Sequence, residues 1–418
     1  MKDYNDFIEG LQEKKKDLNI KVEECEINKL LEEGITKLKK IEKELNDKFI
    51  EREDVIKDCM RALVIGQHMF LYGPPGTGKS LLISNLCKRI KASKYFQWLL
   101  NKTSDPSEIL GPYSIKAIEK DRFLRKTQGK LPEANIVFLD EIWKSNEPTL
   151  NILLPILNEK IFYNDSKIIE VPLISMFCAS NEIPDDDSLN ALYDRIIFRE
   201  HLDYIKDTDN KIKMLKNYVK GRRDEEASLE TKISLEEIYT IQNKVKDVEI
   251  SDHIYLDFIK LMEGLKREGI IISDRRKNEC LKVLQGAAIL EERNYVVVED
   301  FEALTNVLWT ELEDVAIIET QITKVINPYD DKVNDYMRKF NEIKEEIDSI
   351  QNKDEKIRST IEGKVSIENI LKKLDFLIKE AESKRKNTDS MIEKKNYIKD
   401  YNKKIMKEVL GIDFNHEF

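Results

Sequence analysis

The residues best suited to chemistry form a glycine-rich run that follows the apolar stretch 69–72. Gly73, Gly76 and Gly78 lead directly into Lys79 and Ser80. Glycines at this spacing let backbone N–H groups turn inward around a polyphosphate, where a lysine would neutralise the β and γ phosphates and a serine hydroxyl would hold Mg²⁺. The predicted nucleotide-binding residues are Gly73, Pro74, Pro75, Gly76, Thr77, Gly78, Lys79, Ser80 and Leu81.

The flanks of this run distinguish a phosphate-binding loop from an ordinary turn. Residues 68–72 are strand-like, and residues 81–87 continue as a helix without a glycine or proline. A loop between a strand and a helix faces the positive end of the helix dipole, which favours a bound anion. A plain Gly/Pro turn between two core elements is the alternative, and these flanks favour the nucleotide site.

A second pair of chemical groups, Asp140 and Glu141, closes the apolar run 135–139. On a strand parallel to the first, Asp140 would lie near the Mg²⁺ and Glu141 could polarise the attacking water. Two solvated acids at a strand end are the alternative. The two motifs together predict an ATPase or GTPase. We prefer ATP because the string 101–104, Asn-Lys-Thr-Ser, lacks the aspartate of a guanine-reading Asn-Lys-x-Asp tetrad.

Three further polar residues complete the predicted catalytic set. Asn181 ends a strand, where its amide could orient water or touch the γ-phosphate. Arg195 follows a helix expected to leave the sheet on the far side, which suggests donation into a neighbouring subunit's site. A surface pair of Asp194 with Arg195 is the alternative. Arg275 or Arg276 could swing toward the γ-phosphate and make the second domain a lid.

The elements that must position these residues follow from the apolar patterns. Helix and strand patterns alternate after the glycine-rich run, which predicts an α/β fold with a mostly parallel sheet and helices on both faces. Strands are expected at 68–72, 95–100, 135–141 and 173–180, and inserted hairpins at 111–130 and 160–171. Later helices are expected at 252–267, 274–291 and 299–325.

Capping and breaker residues place the domain boundaries. Ser234 and Glu237 form a capping box that opens the helical part, and Pro328 stops its last helix. The tail has helical apolar spacing and predicts two or three long helices packed as a hairpin. The predicted divisions are an N-terminal helical segment at 1–48, a nucleotide-binding domain at 49–205, a charged linker at 206–232, an all-α lid at 233–326 and a helical tail at 327–418.

The N-terminal segment is amphipathic, because Leu31, Ile35, Leu38 and Leu45 recur at helical spacing. This pattern fits a helix packed on the body of the protein. A helix that binds a partner or another copy is the alternative.

The composition limits the class of protein and of partner. The 418 residues include 70 lysines and arginines against 80 acidic residues, a net charge of −10, which argues against nucleic acid as the main partner. Five scattered cysteines and four dispersed histidines indicate neither a disulfide framework nor a metal site based on these residues. We expect a cytoplasmic protein, since neither a signal peptide nor a membrane-spanning run is apparent.

The motifs in their order resemble the MoxR family of AAA+ ATPases, and within it the RavA-type branch. The resemblance rests on residues 131–144, 150–159, 179–184, 191–195 and 273–276, and it covers about 48–325. It implies a ring-forming ATPase, commonly a hexamer, that uses ATP and Mg²⁺ at sites between subunits. A helical tail without the small β-domain of RavA-type proteins departs from that branch.

The resemblance also implies a role for each matching residue. Residues 73–80 match Walker A, Asp140 and Glu141 match Walker B, Asn181 matches sensor 1, Arg195 matches the arginine finger and Arg275 matches sensor 2. The segments near 111–130 and 160–171 resemble the helix-2 insert and the pre-sensor-1 hairpin, which would contact substrate. Family members are chaperone-like and typically work with a von Willebrand factor A (vWA) domain partner.

Two other classes of function stay open at the level of sequence. A nucleic-acid-stimulated or defence-associated ATPase would need a basic, aromatic-bearing channel, which the net charge of −10 does not favour. A scaffold that binds nucleotide without turnover would not need Glu141 or Arg195.

Overall fold

The computed structural model describes residues 2–184, 189–221, 230–350, 352–383 and 388–410. Its strands are β1 (Met69–Tyr72), β2 (Ile90–Lys91), β3 (Tyr95–Leu99), β4 (Ile136–Asp140), β5 (Ile161–Asn164), β6 (Lys167–Glu170), β7 (Ser175–Ser180), β8 (Phe198–His201) and β9 (Ile233–Ser234). Its α-helices are α1 (Lys2–Lys48), α2 (Glu53–Ile65), α3 (Lys79–Lys88), α4 (Pro106–Leu110), α5 (Ile115–Ile118), α6 (Glu147–Asn151), α7 (Leu153–Glu159), α8 (Asn190–Tyr193), α9 (Thr208–Gly221), α10 (Leu235–Val245), α11 (Asp252–Arg267), α12 (Asp274–Leu290), α13 (Thr305–Leu308), α14 (Asp314–Ile326), α15 (Asp330–Ser349), α16 (Lys353–Ser383) and α17 (Asp389–Leu410).

A five-stranded parallel sheet lies at the centre of the fold, with strand order β3-β4-β7-β1-β8. The expected α/β class is confirmed. Strands β1, β4 and β7 are almost fully buried apolar runs, as expected when helices cover both faces of a parallel sheet. Because all five strands point the same way, the sheet has one carboxyl edge and one amino edge, and these two edges organise the chemistry described below.

Strand β8 was not predicted from the sequence. Its interior residues, Arg199 and Glu200, are charged yet buried, so the strand lacks an apolar run. Arg199 donates to the carbonyl oxygens of Trp309 and Tyr193, and Glu200 accepts a hydrogen bond of 2.8 Å from the amide of Asn306. Hydrogen bonds to residues distant in sequence therefore make the burial of these two charged side chains tolerable. A local sequence pattern contains no sign of those partners, so β8 could not be predicted.

The two expected hairpins differ in the structure. The second is confirmed, since β5 and β6 pair antiparallel with Asn164 opposite Lys167. The first has a single antiparallel bridge between Tyr113 and Arg125, and α5 fills the space between them. Residues 115–118 close as one helical turn instead of pairing as strands, since Ser114 O accepts hydrogen bonds from Ala117 N at 2.9 Å and Ile118 N at 3.0 Å.

The lid helices follow the sequence signals with one exception. The capping box is present, since Glu237 N donates to Ser234 Oγ at 3.2 Å and Ser234 N donates to Glu237 Oε2 at 2.8 Å. The single helix expected at 299–325 is wrong, because the chain forms a 3₁₀ turn at 298–304, then α13 and α14. Trp309 interrupts it: the indole is buried and donates to Arg199 O at 2.9 Å.

The N-terminal helix packs on the body of the protein over its second half. Ile35, Leu38, Ile41 and Leu45 of α1 are buried. Gly34 lies so close to α10 that a Cβ there would be 3.1 Å from Ile241 Cδ1. In the expected linker 206–232 the chain forms α9, and residues 222–229 lie outside the described part of the chain.

The chain forms two compact units. The first contains residues 1–258 and 266–315, and the second contains residues 259–265 and 316–418. The second unit contains α15, α16 and α17, which pack as a three-helix bundle around Phe340, Leu374 and Ile398. Gly363 permits close approach of α16 to α15, because a Cβ there would lie 2.8 Å from Ile347 Cδ1. Every helix in the described residues is too short or too polar to span a membrane.

Candidate functional site

The glycine-rich loop leaves the carboxyl end of β1 in a conformation that requires glycine. Gly73, Gly76 and Gly78 all have positive φ, of 147°, 83° and 88°. At Gly73 there is also no room for a side chain, because a Cβ would lie 2.0 Å from Leu202 O. Beside Gly76 and Gly78 the space is open instead, because no other atom lies within 4 Å of the position that a Cβ would occupy. The loop is therefore fixed at its base and open where a phosphate chain would lie.

Lys79 is held inside this loop by backbone carbonyls. Its ammonium donates to Gly73 O and, at 3.1 Å, to Pro74 O. Burial lowers the pKa of Lys79, while the charges of Asp140 and Glu141 act in the opposite direction. The lysine is thus a partly desolvated cation whose present partners are weak neutral acceptors, and phosphate oxygens would replace them favourably.

Ser80 and Asp140 meet as the sequence predicted. Ser80, in the first turn of α3, donates from Oγ to Asp140 Oδ2 at 3.1 Å. In the sheet, β7 separates β4, which ends at Asp140, from β1, which precedes the loop. A hydroxyl and a carboxylate at this distance supply two hard oxygen ligands, which is the donor set Mg²⁺ prefers when phosphate oxygens and water complete the shell. The residues present therefore fit a magnesium–nucleotide complex.

Glu141, directly after Asp140, has an unusual backbone conformation. Its φ is 54°, in the left-handed region, and its N–H donates to Asp140 Oδ1 at 3.0 Å. The side chain lies beside the ammonium of Lys144, at 3.2 Å from Glu141 Oε2 to Lys144 Nζ. A strained residue that separates two adjacent carboxylates suits two different roles, one toward metal and one toward water.

Asn181 follows β7, directly beside the glycine-rich loop. The preceding carbonyl, Ser180 O, accepts a hydrogen bond of 3.1 Å from Gly73 N, and Asn181 itself is exposed. The structure therefore brings Lys79, Ser80, Asp140, Glu141 and Asn181 to one carboxyl edge. These are five of the residues that the sequence singled out.

Three residues at this edge carried no recognisable sequence signal. Arg52 is buried and donates to Thr77 O at 3.4 Å and to Asp203 O at 2.7 Å. Tyr204 Oη donates to Pro75 O at 3.1 Å. Glu51, just before Arg52, accepts hydrogen bonds from the chain that starts α9. Their partners are backbone atoms far away in sequence, so only the folded chain reveals them.

Arg195 lies at the amino edge of the sheet, opposite the loop. It precedes Phe198, which pairs with Met69 at the start of β1, whereas the glycine-rich loop follows the end of β1. Burial and then the charge of Arg275 lower the pKa of Arg195, so the two guanidinium groups are neighbours. Arg195 donates to Ala191 O, and no described residue accepts a hydrogen bond from its buried Nε.

Arg275 and Arg276 are distinguished by burial. Arg275 is exposed and donates to Asn158 Oδ1 at 2.7 Å. Arg276 is buried and donates to Val307 O at 2.9 Å and Ile196 O at 2.7 Å. Arg276 is therefore a structural cation. Arg275 is the one with a guanidinium free to meet a phosphate, and it stands beside Arg195 rather than beside Lys79.

Asp194 anchors the amino edge instead of pairing with Arg195. Its carboxylate accepts a hydrogen bond of 3.1 Å from Ser273 Oγ and lies 3.7 Å from Arg276 Nε. Since Ser273 also caps α12 by accepting from Arg276 N at 3.1 Å, the start of α12 is fixed against the end of α8. The two neighbouring arginines are thus held on a rigid support.

Known proteins and sequence families are similar to large parts of this chain. Residues 36–243 match the sequence family described as the MoxR domain in the MoxR-vWA-beta-propeller ternary systems, and residues 235–322 match an AAA lid domain. One uncharacterized protein of Methanocaldococcus jannaschii is 38% identical over 319 residues, 76% of this chain and 82% of the relative. A second from the same organism is 38% identical over 293 residues, 70% of this chain and 76% of the relative.

A solved structure shares the fold. The crystal structure of a proposed ATPase from Cytophaga hutchinsonii superposes on 72% of this chain and 98% of its own, with a TM-score of 0.58 at 20% identity. The similarity extends over nearly all of that protein, so both the sheet and helices beyond it are shared.

Proposed function

This chain belongs to the MoxR family of AAA+ ATPases, and from that premise we propose that it converts ATP and water to ADP and phosphate at sites shared between neighbouring copies of a ring. One observation carries the proposal. Lys79, Ser80, Asp140 and Glu141 converge at the carboxyl edge, whereas Arg195 and Arg275 stand together at the amino edge.

At the carboxyl edge, each side chain has a distinct task. Ser80 and Asp140 would hold Mg²⁺, which neutralises charge on the phosphate oxygens when bound. Lys79 would exchange the carbonyls of Gly73 and Pro74 for phosphate oxygens, so that its charge meets the charge that develops during transfer. Glu141 would orient the attacking water and accept its proton.

The arginines at the amino edge require a neighbouring copy. A surface that joins the carboxyl edge of one copy to the amino edge of the next is heterologous, and such contacts close into rings when the rotation permits. We propose a hexamer, the number common in the family. In this ring Arg195 acts as the arginine finger, and Arg275 acts on the same foreign nucleotide rather than on that of its own chain.

A partner-binding surface is formed by the segment 111–126 together with the hairpin 161–170, which we call the insert surface. Arg125 N donates to Asn164 Oδ1 at 2.7 Å, and Asn164 Nδ2 donates back to Arg125 O at 3.1 Å, so the two parts form one body. It carries large apolar side chains in solvent, among them Ile115 at 72% and Phe123 and Ile168 at 64% exposure. Exposed apolar groups of this extent indicate a binding site.

We propose that the insert surface receives a protein partner that the ATPase remodels. The family description names vWA proteins as members of the same systems, and we take a vWA protein as the partner class. The aliphatic Ile115, Ile118 and Ile168 suit an apolar protein surface. Within the family, the order of motifs is our reason for proposing the RavA-type branch for the ATPase body, although the described tail is helical.

A second candidate function rests on the charge of the same surface. The insert surface, residues 111–126 and 161–170, contains six lysines and arginines against four acidic residues, with Tyr113 and Phe123 exposed. Basic and aromatic groups together can bind single-stranded nucleic acid. ATPase stimulation by an oligonucleotide, falling steeply as salt rises, would support this candidate.

The test of hydrolysis is the Glu141→Gln variant, with Glu147→Gln as a matched control on an exposed carboxylate nearby. We expect Glu141→Gln to bind a fluorescent ATP analogue with parental affinity, to accumulate assembled particles and to lose turnover by at least about 100-fold. Glu147→Gln should resemble the parent. Parental turnover by Glu141→Gln would contradict the assignment of Glu141.

The test of the insert surface is the Phe123→Asp variant, with Tyr255→Asp as a control of similar chemistry on α11. We expect basal ATPase activity to be retained by both, and binding of a vWA partner to be lost only by Phe123→Asp. If Phe123→Asp binds that partner normally and loses stimulation by an oligonucleotide instead, the second candidate replaces the first.

A further inference from the structure

Helix α9 leaves an apolar face in solvent. Ile212, Leu215 and Val219 lie three and four positions apart, on one side of the helix, and their exposures are 45%, 58% and 52%. Every other side chain described between 208 and 219 is exposed as well, except the half-buried Asn210. An amphipathic helix normally buries its apolar stripe, and within the described residues this stripe is left open to solvent.

The start of α9 is fastened beside the nucleotide loop. The carboxylate of Glu51 accepts hydrogen bonds from Lys206 N at 2.9 Å, Asp207 N at 3.2 Å and Asn210 Nδ2 at 3.0 Å. These contacts close the N-terminal end of the helix and lower the pKa of Glu51. The helix is therefore an anchored element and not a loose connection.

The same anchor touches the loop itself. Arg52 joins Thr77 O to Asp203 O, and Tyr204 Oη donates to Pro75 O at 3.1 Å. Both contacts reach carbonyl oxygens of the residues that would surround the phosphates. A shift of the loop on nucleotide binding would therefore be passed through Arg52 and Tyr204 to the start of α9.

The position and charge of α9 identify what covers its apolar face. In the shared site proposed above, a neighbouring copy brings Arg195 toward the carboxyl edge, and α9 begins at that edge. The helix contains four lysines and one aspartate, whereas the chain as a whole has a net charge of −10. The two arginines of the incoming edge repel this cationic helix, and the rest of that copy, which carries the acidic excess of the chain, attracts it.

We propose that the α9 face, formed by Ile212, Leu215 and Val219, is the docking surface for the neighbouring copy of this chain. Glu51, Arg52 and Tyr204 couple this contact to the nucleotide loop. The inference rests on the proposed shared site, and it adds the surface by which a subunit reports its nucleotide state to the next one.

The experiment compares Leu215→Asp with Met214→Asp in the full-length chain. Met214 is exposed on α9 but points away from the α9 face, so it controls for the added charge. Assembly is measured by sedimentation velocity with and without ATPγS, binding by titration with a fluorescent ATP analogue, and folding by thermal unfolding. We expect Leu215→Asp to weaken nucleotide-dependent assembly at least tenfold while nucleotide affinity and unfolding temperature stay parental. Met214→Asp should assemble as the parent does.

The outcomes separate this inference from the function on which it rests. If the parent assembles and Leu215→Asp assembles equally well, the α9 face is not the docking surface, and the shared site stands. If the parent stays monomeric at all concentrations yet hydrolyses ATP, the shared site itself is overturned and the inference with it. Equal weakening by Met214→Asp would show a general effect of charge and would also overturn the assignment.

Discussion

The two edges of the central sheet are built in opposite ways. At the carboxyl edge, one contiguous run supplies the backbone cradle, Lys79 and Ser80, and Asp140 joins them from a strand tip 3.1 Å away. At the amino edge, Arg195 and Arg275 come from segments 80 residues apart and meet only because α12 is fixed against the end of α8. We propose that the first edge binds a nucleotide of its own. The second is a support that presents two cations outward.

This difference shows that the two halves of the site are determined by different parts of the sequence. The cradle depends on local backbone conformation, which a few glycines specify. The arginine pair depends on buried contacts of Asp194, Ser273 and Arg276, whose partners are set by tertiary packing. Substitutions at the carboxyl edge should therefore affect nucleotide binding and turnover, whereas those at the amino edge should divide into catalytic and structural effects.

The largest expected effect tests whether the carboxyl edge of one copy and the amino edge of the next act on the same nucleotide. Lys79→Ala and Arg195→Ala should each lower turnover by roughly 10³-fold or more, because a phosphate clamp or an arginine finger is lost. Equal mixing should restore turnover at about one quarter of the sites, since an intact loop then meets an intact arginine at random. Phosphate release from the mixture is the measurement. If the mixture recovers no turnover, Lys79 and Arg195 do not act together across two copies, and the shared site is contradicted.

Arg275 and Arg276 should differ sharply in stability. Arg276→Ala leaves two buried carbonyls without their donor and removes the cation beside Asp194, whose carboxylate keeps its hydrogen bond from Ser273. We therefore expect a loss of about 2–4 kcal/mol in unfolding free energy. Arg275→Ala, at an exposed site, should change stability by less than about 0.5 kcal/mol and still lower turnover at least tenfold. Urea unfolding and ATPase rates decide this, and equal stability of the two variants would refute the division of roles.

Acid should weaken the amino edge through His68. This buried imidazole accepts from Met176 N at 3.1 Å and lies 3.3 Å from Leu157 O, and burial lowers its pKa to about 4. Because the unfolded chain binds a proton near pH 6.5, the stability that neutral His68 contributes is complete above that pH and is lost as the pH falls toward 4. The expected loss between pH 7.5 and pH 5 is about 2 kcal/mol.

Urea unfolding of the parent and of His68→Gln at both pH values measures that loss. The stability difference between the two proteins should shrink as the pH falls, because only the parent loses the contribution of a neutral imidazole. A difference that is independent of pH would show that His68 is not the titrating group.

The smallest expected effect concerns Tyr204. Removing its hydroxyl in Tyr204→Phe costs one neutral hydrogen bond to Pro75 O, about 1 kcal/mol, or roughly fivefold in nucleotide affinity. Tyr255→Phe serves as the control on an exposed tyrosine of α11. Calorimetric titration with ADP compares the two, and an unchanged affinity in Tyr204→Phe would show that this contact does not position the loop.

Much of the fold was predictable because its signals are local. The strands β1, β4 and β7 are apolar runs, the capping box of α10 is a four-residue signature, and α11 begins and ends as its apolar spacing indicates. Two of the misses share one cause. Strand β8 and the break at Trp309 depend on hydrogen bonds between Arg199 and residues 110 positions away, which no local pattern contains.

By itself the sequence determined the glycine-rich loop, the paired carboxylates and the class of fold, because backbone conformation at glycine and the burial of apolar runs are set within a few residues. Tertiary structure alone decided which arginine is buried and which is presented, and that Arg195 and Arg275 share the edge opposite the loop. It also decided that α9 is tied to the loop yet open to solvent. These properties depend on which distant backbone atoms a side chain reaches, and only the folded chain brings those atoms together.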